Sequence, residues 1–221
     1  NWKPAAYQKE QDPIRGVFAY IAAGLLHPGE EAPAHQPQLL PGQVKLKNIN
    51  GDDKLNEEDM VLIGRNDPKF IFGFNNNFSY KNFDLNIYMY GQVGKIAGAN
   101  SYYDAWGSYG NRIKLGQNVP VSFKDAWSSD NQTSTRPSFI ESAYGTGDLF
   151  LQKISFLRIR NITLGYTVPI SKSICNRLRV YADINNPCVW TNWKGQDPET
   201  DSNTNAYPNV TSFSIGVDIS F

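Results

Sequence analysis

The 221 residues carry 21 basic and 21 acidic side chains, and this zero formal charge leaves no electrostatic footprint for nucleic acid or another polyanion. Aromatic residues make up 13% of the chain, and 18 Gly, 13 Pro and 22 Asn disfavour long helices, which excludes an all-α fold. The longest weakly polar run, Gly16 to Leu26, is about half a membrane-spanning helix, so a membrane could be entered only by strands.

Residues 1–69 read as a loop region, and the first Met is Met60, so the sequence is expected to be part of a longer chain. Within this region Asn48, Asn50, Asp52, Lys54, Asn56 and Asp59 stand at positions 1, 3, 5, 7, 9 and 12 of a twelve-residue loop. That is the spacing by which an EF-hand-like loop wraps oxygen ligands around Ca²⁺, with the Lys54 carbonyl at position 7. Asn48 is neutral where a carboxylate is usual, and Asp53 occupies the place of the turn glycine. Two readings therefore stand side by side: a Ca²⁺ site at 48–59, or an Asx-rich turn held by its own side-chain hydrogen bonds.

Strands follow in chain order. Phe70, Phe72, Phe74, Phe78 and Tyr80 share one parity, with Asn76 as a polar intruder; Phe83, Leu85, Ile87 and Met89 alternate with Asp84, Asn86, Tyr88 and Tyr90. This predicts strands over 70–80 and 83–91, joined by Lys81 and Asn82. The long loop 92–153 holds Tyr102, Tyr103, Trp106 and Trp127 among carboxylates and amides, a composition suited to stacking on sugar rings. Interface anchors or gap fillers have the same composition. A strand over 154–168 changes phase, with Leu157 and Ile159 on one parity and Ile162, Leu164, Tyr166 and Val168 on the other, which calls for a β-bulge near Arg160 and Asn161. Strands over 178–190 and 212–221 complete the pattern, separated by the loop 191–211. Cys175 and Cys188 fall before and at the far end of one strand, roughly 35–43 Å apart, which argues against a disulfide.

Tight turns alternate with long loops, as in outer-membrane barrels with short periplasmic turns and long extracellular loops. Ten residues at about 3.3 Å each, tilted near 45°, rise roughly 23 Å, close to the apolar band of such barrels. A β-sandwich also alternates, but its outer face would carry many Lys and Glu, whereas this polar parity carries Asn, Ser, Gly, Asp and Tyr. The fold class is therefore read as all-β. Enzyme motifs are missing: His27 and His35 are the only histidines, and neither HExxH, GxSxG nor a Gly-rich phosphate loop occurs, so no enzymatic activity is expected.

Five stretches and the terminal strand carry a family resemblance: Pro41 to Asp52; Ile63-Gly64-Arg65-Asn66-Asp67-Pro68-Lys69-Phe70; Phe72 to Leu85; Phe156-Leu157-Arg158-Ile159-Arg160-Asn161-Ile162-Thr163-Leu164-Gly165-Tyr166; and Trp193-Lys194-Gly195-Gln196-Asp197-Pro198-Glu199. In this order they resemble the C-terminal portion of SusC/RagA-type TonB-dependent outer-membrane transporters. The resemblance implies a transmembrane β-barrel of about 22 strands, five of them here as an antiparallel segment with extracellular loops. It implies import of oligosaccharides or peptides across the outer membrane of a Gram-negative cell beneath a SusD-like surface lipoprotein. A missing N-terminal part would contact the TonB complex. It further implies that Phe221, ending the last alternating strand, is read by the outer-membrane insertion machinery; otherwise Phe221 is simply the last apolar residue of an edge strand. The rival expectation is a secreted β-sandwich module that binds carbohydrate.

Overall fold

The computed structural model describes residues 15–98, 116, 118, 121–139, 145–170, 175–195, 197–200 and 207–221. The chain divides into two compact units, Asn1–Asp67 with Ile96–Gln152 and Ser202–Thr204, and Pro68–Lys95 with Lys153–Asp201 and Asn205–Phe221.

In the first unit, β1 (Gly16–Ala19) pairs antiparallel with β4 (Val61–Arg65), and β2 (Ala22–Leu25) with β3 (Val44–Leu46). The stretch read as loop thus contains four strands, each of three to five residues, too short for period-two alternation to show. Leu25, Val44 and Leu46 form a small core, against which Tyr20, Ala22, Leu55 and Trp127 pack. Gln36 is fully buried beside β3 and stands in for a further strand. Its Oε1 accepts from the Leu46 N–H at 2.7 Å and its Nε2 donates to the Val44 carbonyl at 3.4 Å. Both ends of a buried amide are thereby satisfied, and so are ladder groups of β3 that would otherwise lack partners. Gly42, at φ +83°, lies under the Trp127 indole, and a Cβ there would come within 2.2 Å of the ring.

The second unit is built on one sheet of five hydrogen-bonded strands in sequential order: β5 (Phe70–Tyr80), β6 (Phe83–Gly98), β7 (Leu151–Val168), β8 (Arg177–Thr191) and β9 (Ser212–Ser220). The β5–β6 hairpin turns on Lys81 and Asn82, with Lys81 at φ +52°, as two-residue hairpins require. β6 runs to Gly98 rather than ending at residue 91. Gly91 and Gly94, the latter at φ +83°, interrupt the alternation that would have revealed the extension.

The bulge falls where the phase change requires it, but the extra residue is on the facing strand. Ile159 pairs with Cys188 and Asn161 with Asn185, so Asn186 and Pro187 stand opposite Arg160 alone, with Asn186 at φ +49°. Pro187 thus occupies a bulge, the sheet position where a missing N–H is tolerated. Both cysteines are free.

Register places one apolar set on a single face. Leu178, Val180, Ala182 and Ile184 pair with Ile219, Val217, Ile215 and Phe213, and on the other side with Val168, Tyr166, Leu164 and Ile162. The Phe83 ring meets Tyr166 at 4.7 Å between centroids, which carries the same face across to β6, where Leu85 and Ile87 lie half-buried by neighbouring side chains. These side chains are not sealed between two sheets: Phe213 is 78% exposed and Ile215 83%. A sandwich core would have buried them. No helix among the described residues is long and apolar enough to cross a membrane.

Candidate functional site

The other face of the five-stranded sheet is built of hydrogen-bonded polar side chains. Near the β5–β6 turn, Arg179 on β8 grips Asp84 on β6 with two bonds, Nη2 to Oδ2 at 2.6 Å and Nε to Oδ1 at 3.0 Å, and holds Asp218 on β9 at 3.0 Å. Asp84 and Arg179 are two strands apart. The strand between them offers Gly165, where a Cβ would come within 2.5 Å of both partners, so the absence of a side chain makes the bridge fit. Tyr181 lies over Gly216 of β9 in the same manner and receives the Arg179 guanidinium 5.0 Å from its ring centroid. Further along, the Asp183 carboxylate accepts from Asn161, Thr163, Asn185 and Ser214, tying β7, β8 and β9 together. Asn86 donates to both Asn75 and Asn77 across the hairpin.

Toward the other end of β7, a buried clasp joins the sheet to the segment after β8. Arg158 Nη2 donates to Asp197 Oδ1 at 2.8 Å, with both side chains at most 4% exposed. Asp197 also accepts from the N–H of Glu199 and from the N–H and side-chain amide of Asn209. Glu199 in turn meets Arg158 at 3.5 Å, Arg160 at 3.1 Å and Asn209 at 2.6 Å. Asn186, at the bulge, donates to the Val210 carbonyl and accepts from Thr211 Oγ1 through its own carbonyl. Burial alone would raise the Asp197 pKa; the N–H donors of Glu199 and Asn209 and the Arg158 charge outweigh it and hold the carboxyl below its usual range.

Beside the clasp opens a cleft of about 390 Å³ lined by Tyr88, Tyr90, Gln92, Lys95, Arg160 and Glu199. The Arg160 guanidinium lies 5.9 Å from the Tyr90 ring centroid, and Phe156 packs on the same ring at 5.8 Å.

The loop 48–59 is held by its own side chains. Asn48, Asn50, Asp52 and Asn56 each accept from a backbone N–H two or three residues on, at Gly51, Asp52, Lys54 and Glu58. Asp59 is fully buried, with Oδ1 taking the N–H groups of Ile49 and Asn50 and Oδ2 that of Asn56. Asn56 and Asp59 form a reciprocal capping box around the one-turn 3₁₀ segment Glu57–Asp59. As placed, these residues do not fit the expected cation, because the position-12 carboxylate is committed to three backbone donors. Among the described residues no cluster of three or more His, Cys, Asp or Glu side chains has metal-holding geometry.

Of the aromatic residues expected to meet ligand, Tyr102, Tyr103 and Trp106 lie outside the described residues. Trp127 belongs to the first unit's core, stacked on Gly42 with its Nε1 buried and unpartnered, and is not presented as an open stacking face. Phe221 follows β9 with its side chain 88% exposed.

The clasp was not legible as a site. Arg158 and Asp197 are 39 residues apart, and no spacing rule pairs them. Gly165 and Gly216 did carry a signal, since an isolated glycine in an alternating strand marks close approach by another group.

A sheet with an exposed apolar face and a cross-linked polar face has the sidedness of a transmembrane β-barrel wall. No family model matches the chain. The TonB-dependent receptor P3 of Formosa agariphila is 28% identical over 201 residues, covering 82% of this chain, and the TonB-dependent receptor SusC of Bacteroides thetaiotaomicron is 26% identical over 180 residues, covering 78%. The chain spans about a fifth of the length of these curated relatives, 19% and 17% respectively. Among solved structures, the RagAB peptide transporter superposes with a TM-score of 0.71 at 22% identity, covering 93% of this chain and 23% of that one. The class that the chain resembles is that of TonB-dependent, outer-membrane β-barrel receptors. Within it, the chain is similar to receptors of the SusC/RagA type.

Proposed function

We propose that this chain forms part of the barrel wall of an outer-membrane importer that takes up oligosaccharides or peptides, working beneath a SusD-like surface lipoprotein and energised through TonB. The sidedness of the five-stranded sheet carries this reading: Phe213, Ile215 and Val217 project from one face, while on the other Arg179 bonds Asp84 and Asp218, and Asp183 accepts from Asn161, Thr163, Asn185 and Ser214. Lipid on one side and a hydrated passage on the other suit that division. The names of the relatives and the RagAB fold agree with it. In this setting Phe221 ends a strand that the insertion machinery would read.

The test uses the full-length receptor, encoded with its own upstream sequence, in an outer membrane. Single cysteines at Ile215 and Val217 should resist a water-soluble maleimide in intact membranes, whereas cysteines at Ser214 and Ser220 should react when the barrel interior is open to solvent. Deleting the receptor gene should abolish growth on the oligosaccharide or peptide it imports. Rapid labelling at Ile215 and Val217 would remove the barrel reading, and unchanged growth on every oligosaccharide and peptide tested would remove the importer reading.

A further inference from the structure

We propose that the cleft beside the clasp is a subsite that reads the main chain of an extended peptide, with Gln92 as its anchoring contact. This rests on the importer reading and sharpens it by naming the part of a substrate that is recognised. Tyr88, Tyr90 and Gln92 occupy alternate positions of β6 and share the parity of Asp84 and Asn86, whose side chains bond across the polar face.

Gln92 is the unmatched group. Its residue is only 8% exposed, yet among the described residues its carboxamide has no hydrogen-bond partner. Gln36 and Gln43, at least as deeply buried, are both bonded: the Gln36 amide to Leu46 and Val44, and Gln43 Oε1 to the Leu40 N–H. A buried amide left without a partner is costly, so the group that completes Gln92 enters the cleft from outside. That group has to accept from Nε2 and donate to Oε1. A single residue of an extended peptide does both, because its own N–H and C=O point to the same side of the chain.

The spacing of the lining agrees. Two residues of strand rise about 6.6–6.8 Å, so Tyr88, Tyr90 and Gln92 repeat at the interval at which an extended peptide laid along β6 turns its N–H and C=O groups to one side. A tyrosine hydroxyl donates and accepts, as such a row requires. The ring faces are less available for stacking on a sugar. The Tyr90 ring has the Arg160 guanidinium 5.9 Å and the Phe156 ring 5.8 Å from its centroid, and Tyr88 lies along Gly73, with Oη 3.6 Å from where a Cβ would stand. The clasp supplies preorganisation: Arg158 and Asn209 hold Glu199, Glu199 pairs with Arg160 at 3.1 Å, and Arg160 lies over Tyr90. Main-chain bonding of this kind gives affinity with little demand on side-chain sequence.

The test titrates the full-length receptor, purified with its surface lipoprotein, with three uncharged probes: an alanine–serine peptide blocked at both ends, its depsipeptide analogue in which esters replace every peptide N–H, and a neutral oligosaccharide of similar length. The peptide should bind about tenfold or more tightly than the ester, the scale of two or three neutral hydrogen bonds, and reversing its sequence should change affinity by less than about threefold. The peptide-to-ester ratio should fall to about one in Gln92→Leu and shrink in the double variant Tyr88→Phe with Tyr90→Phe, while heat-modifiable migration confirms that each barrel is assembled. Where Gln92→Leu fails to assemble, Gln92→Asn decides, since an amide shorter by one methylene withdraws from the ligand and should lower the ratio as well. Equal affinity for peptide and ester, or a ratio that survives in the assembled Gln92 variant, overturns the subsite, and the importer reading stands if any probe is taken up. Binding of the oligosaccharide alone, weakened by Gln92→Leu, overturns the peptide assignment in favour of saccharide hydroxyls. Binding of no probe at all, with no growth defect on deleting the gene, overturns both readings.

Discussion

In the first unit Leu25, Val44 and Leu46 are at most 5% exposed, whereas in the second Phe213 and Ile215 are about four-fifths exposed, although both sets sit on strands and are chemically interchangeable. The polar groups reverse as well. The loop at 48–59 folds its carboxylates and amides back onto its own backbone, while Asp84, Asp183 and Asp197 are shared between side chains on different strands or segments. The difference is one of solvent. A segment in water hides apolar side chains and satisfies backbone locally; a segment facing lipid presents apolar side chains outward and must knit its polar face into networks. Each prediction below perturbs one side of this contrast, in descending order of effect.

The largest effect belongs to the clasp. Asp197→Ala leaves the Arg158 guanidinium buried without its main partner, and breaking a buried pair in this way costs about 3–5 kcal/mol. Arg179→Ala, by contrast, removes a pair whose carboxylates are 37% and 58% exposed, and should cost about 1 kcal/mol or less in solvent. Chemical denaturation of the full receptor in detergent should rank the two in that order, and equal losses would mean that the clasp is no more buried in the assembled receptor than the exposed ladder. The clasp also has a pH signature. Because the folded Asp197 pKa lies below the ordinary value near 3.9, its stabilisation is fully present above about pH 4 and is lost as the pH falls through the lower, folded value. Asp197→Asn should flatten that acid limb.

The next effect tests the apolar face. Ile215→Arg places a charge where the sequence offers isoleucine to lipid, at about 2–4 kcal/mol near the bilayer midplane, and the heat-modifiable barrel should decline in outer-membrane fractions. Ser214→Arg, one residue away on the opposite face, should assemble at near-normal levels. Similar assembly for both variants would erase the distinction between the two faces.

Sequence alone exposed this second unit far better than the first, and the reason is physical. Alternation over nine residues, as in Phe213 to Phe221, repeats often enough to fix a strand and both its faces; the three residues Val44 to Leu46 do not, so β1 to β4 read as loop. The bulge was visible as a phase change, yet which strand carried the extra residue depended on pairing, which no single strand encodes. The candidate site was legible in its parts, since Arg158, Arg160, Asp197 and Glu199 lie in stretches that resemble a family, but not in its assembly. A contact between residues separated by a hairpin and a loop is set by tertiary register. Trp127 shows what composition leaves open: an aromatic in a polar loop suits a ligand platform or a gap filler, and only the structure, with the bare backbone of Gly42 under the indole, supports the second.

A smaller effect is expected at the glycine that lets the ion bridge pass. In Gly165→Ala the new methyl would meet Arg179 and Asp84 at about 2.5 Å, and both are ends of flexible side chains that can move aside. The cost should be on the order of 1–3 kcal/mol, as for other overpacked sites. Adding Asp84→Ala to Gly165→Ala should then lose less than the sum of the single changes, because the methyl has already displaced that carboxylate. Strict additivity in denaturation midpoints would show that Gly165 serves the strand and not the bridge.

The last effect, of similar size, returns to the first unit and to the loop that spells out a Ca²⁺ site. Asp59→Asn exchanges one accepting oxygen for an NH₂ group that would face either the Ile49 and Asn50 N–H groups or that of Asn56. An amide cannot satisfy donors on both sides as a carboxylate does, and the loss should be about 1–3 kcal/mol, felt as faster local hydrogen exchange at Ile49, Asn50 and Asn56. Asn56→Ala, which removes only one half of the capping box, should cost about 1 kcal/mol. If the loop were instead a cation site, both losses would depend on the ion, since position 12 would serve the metal before it served the backbone. Calcium and chelator should therefore leave the exchange rates of wild type and both variants unchanged. Protection that appears at millimolar Ca²⁺ in wild type and is lost in Asp59→Asn would reverse the assignment and restore the ion to the loop.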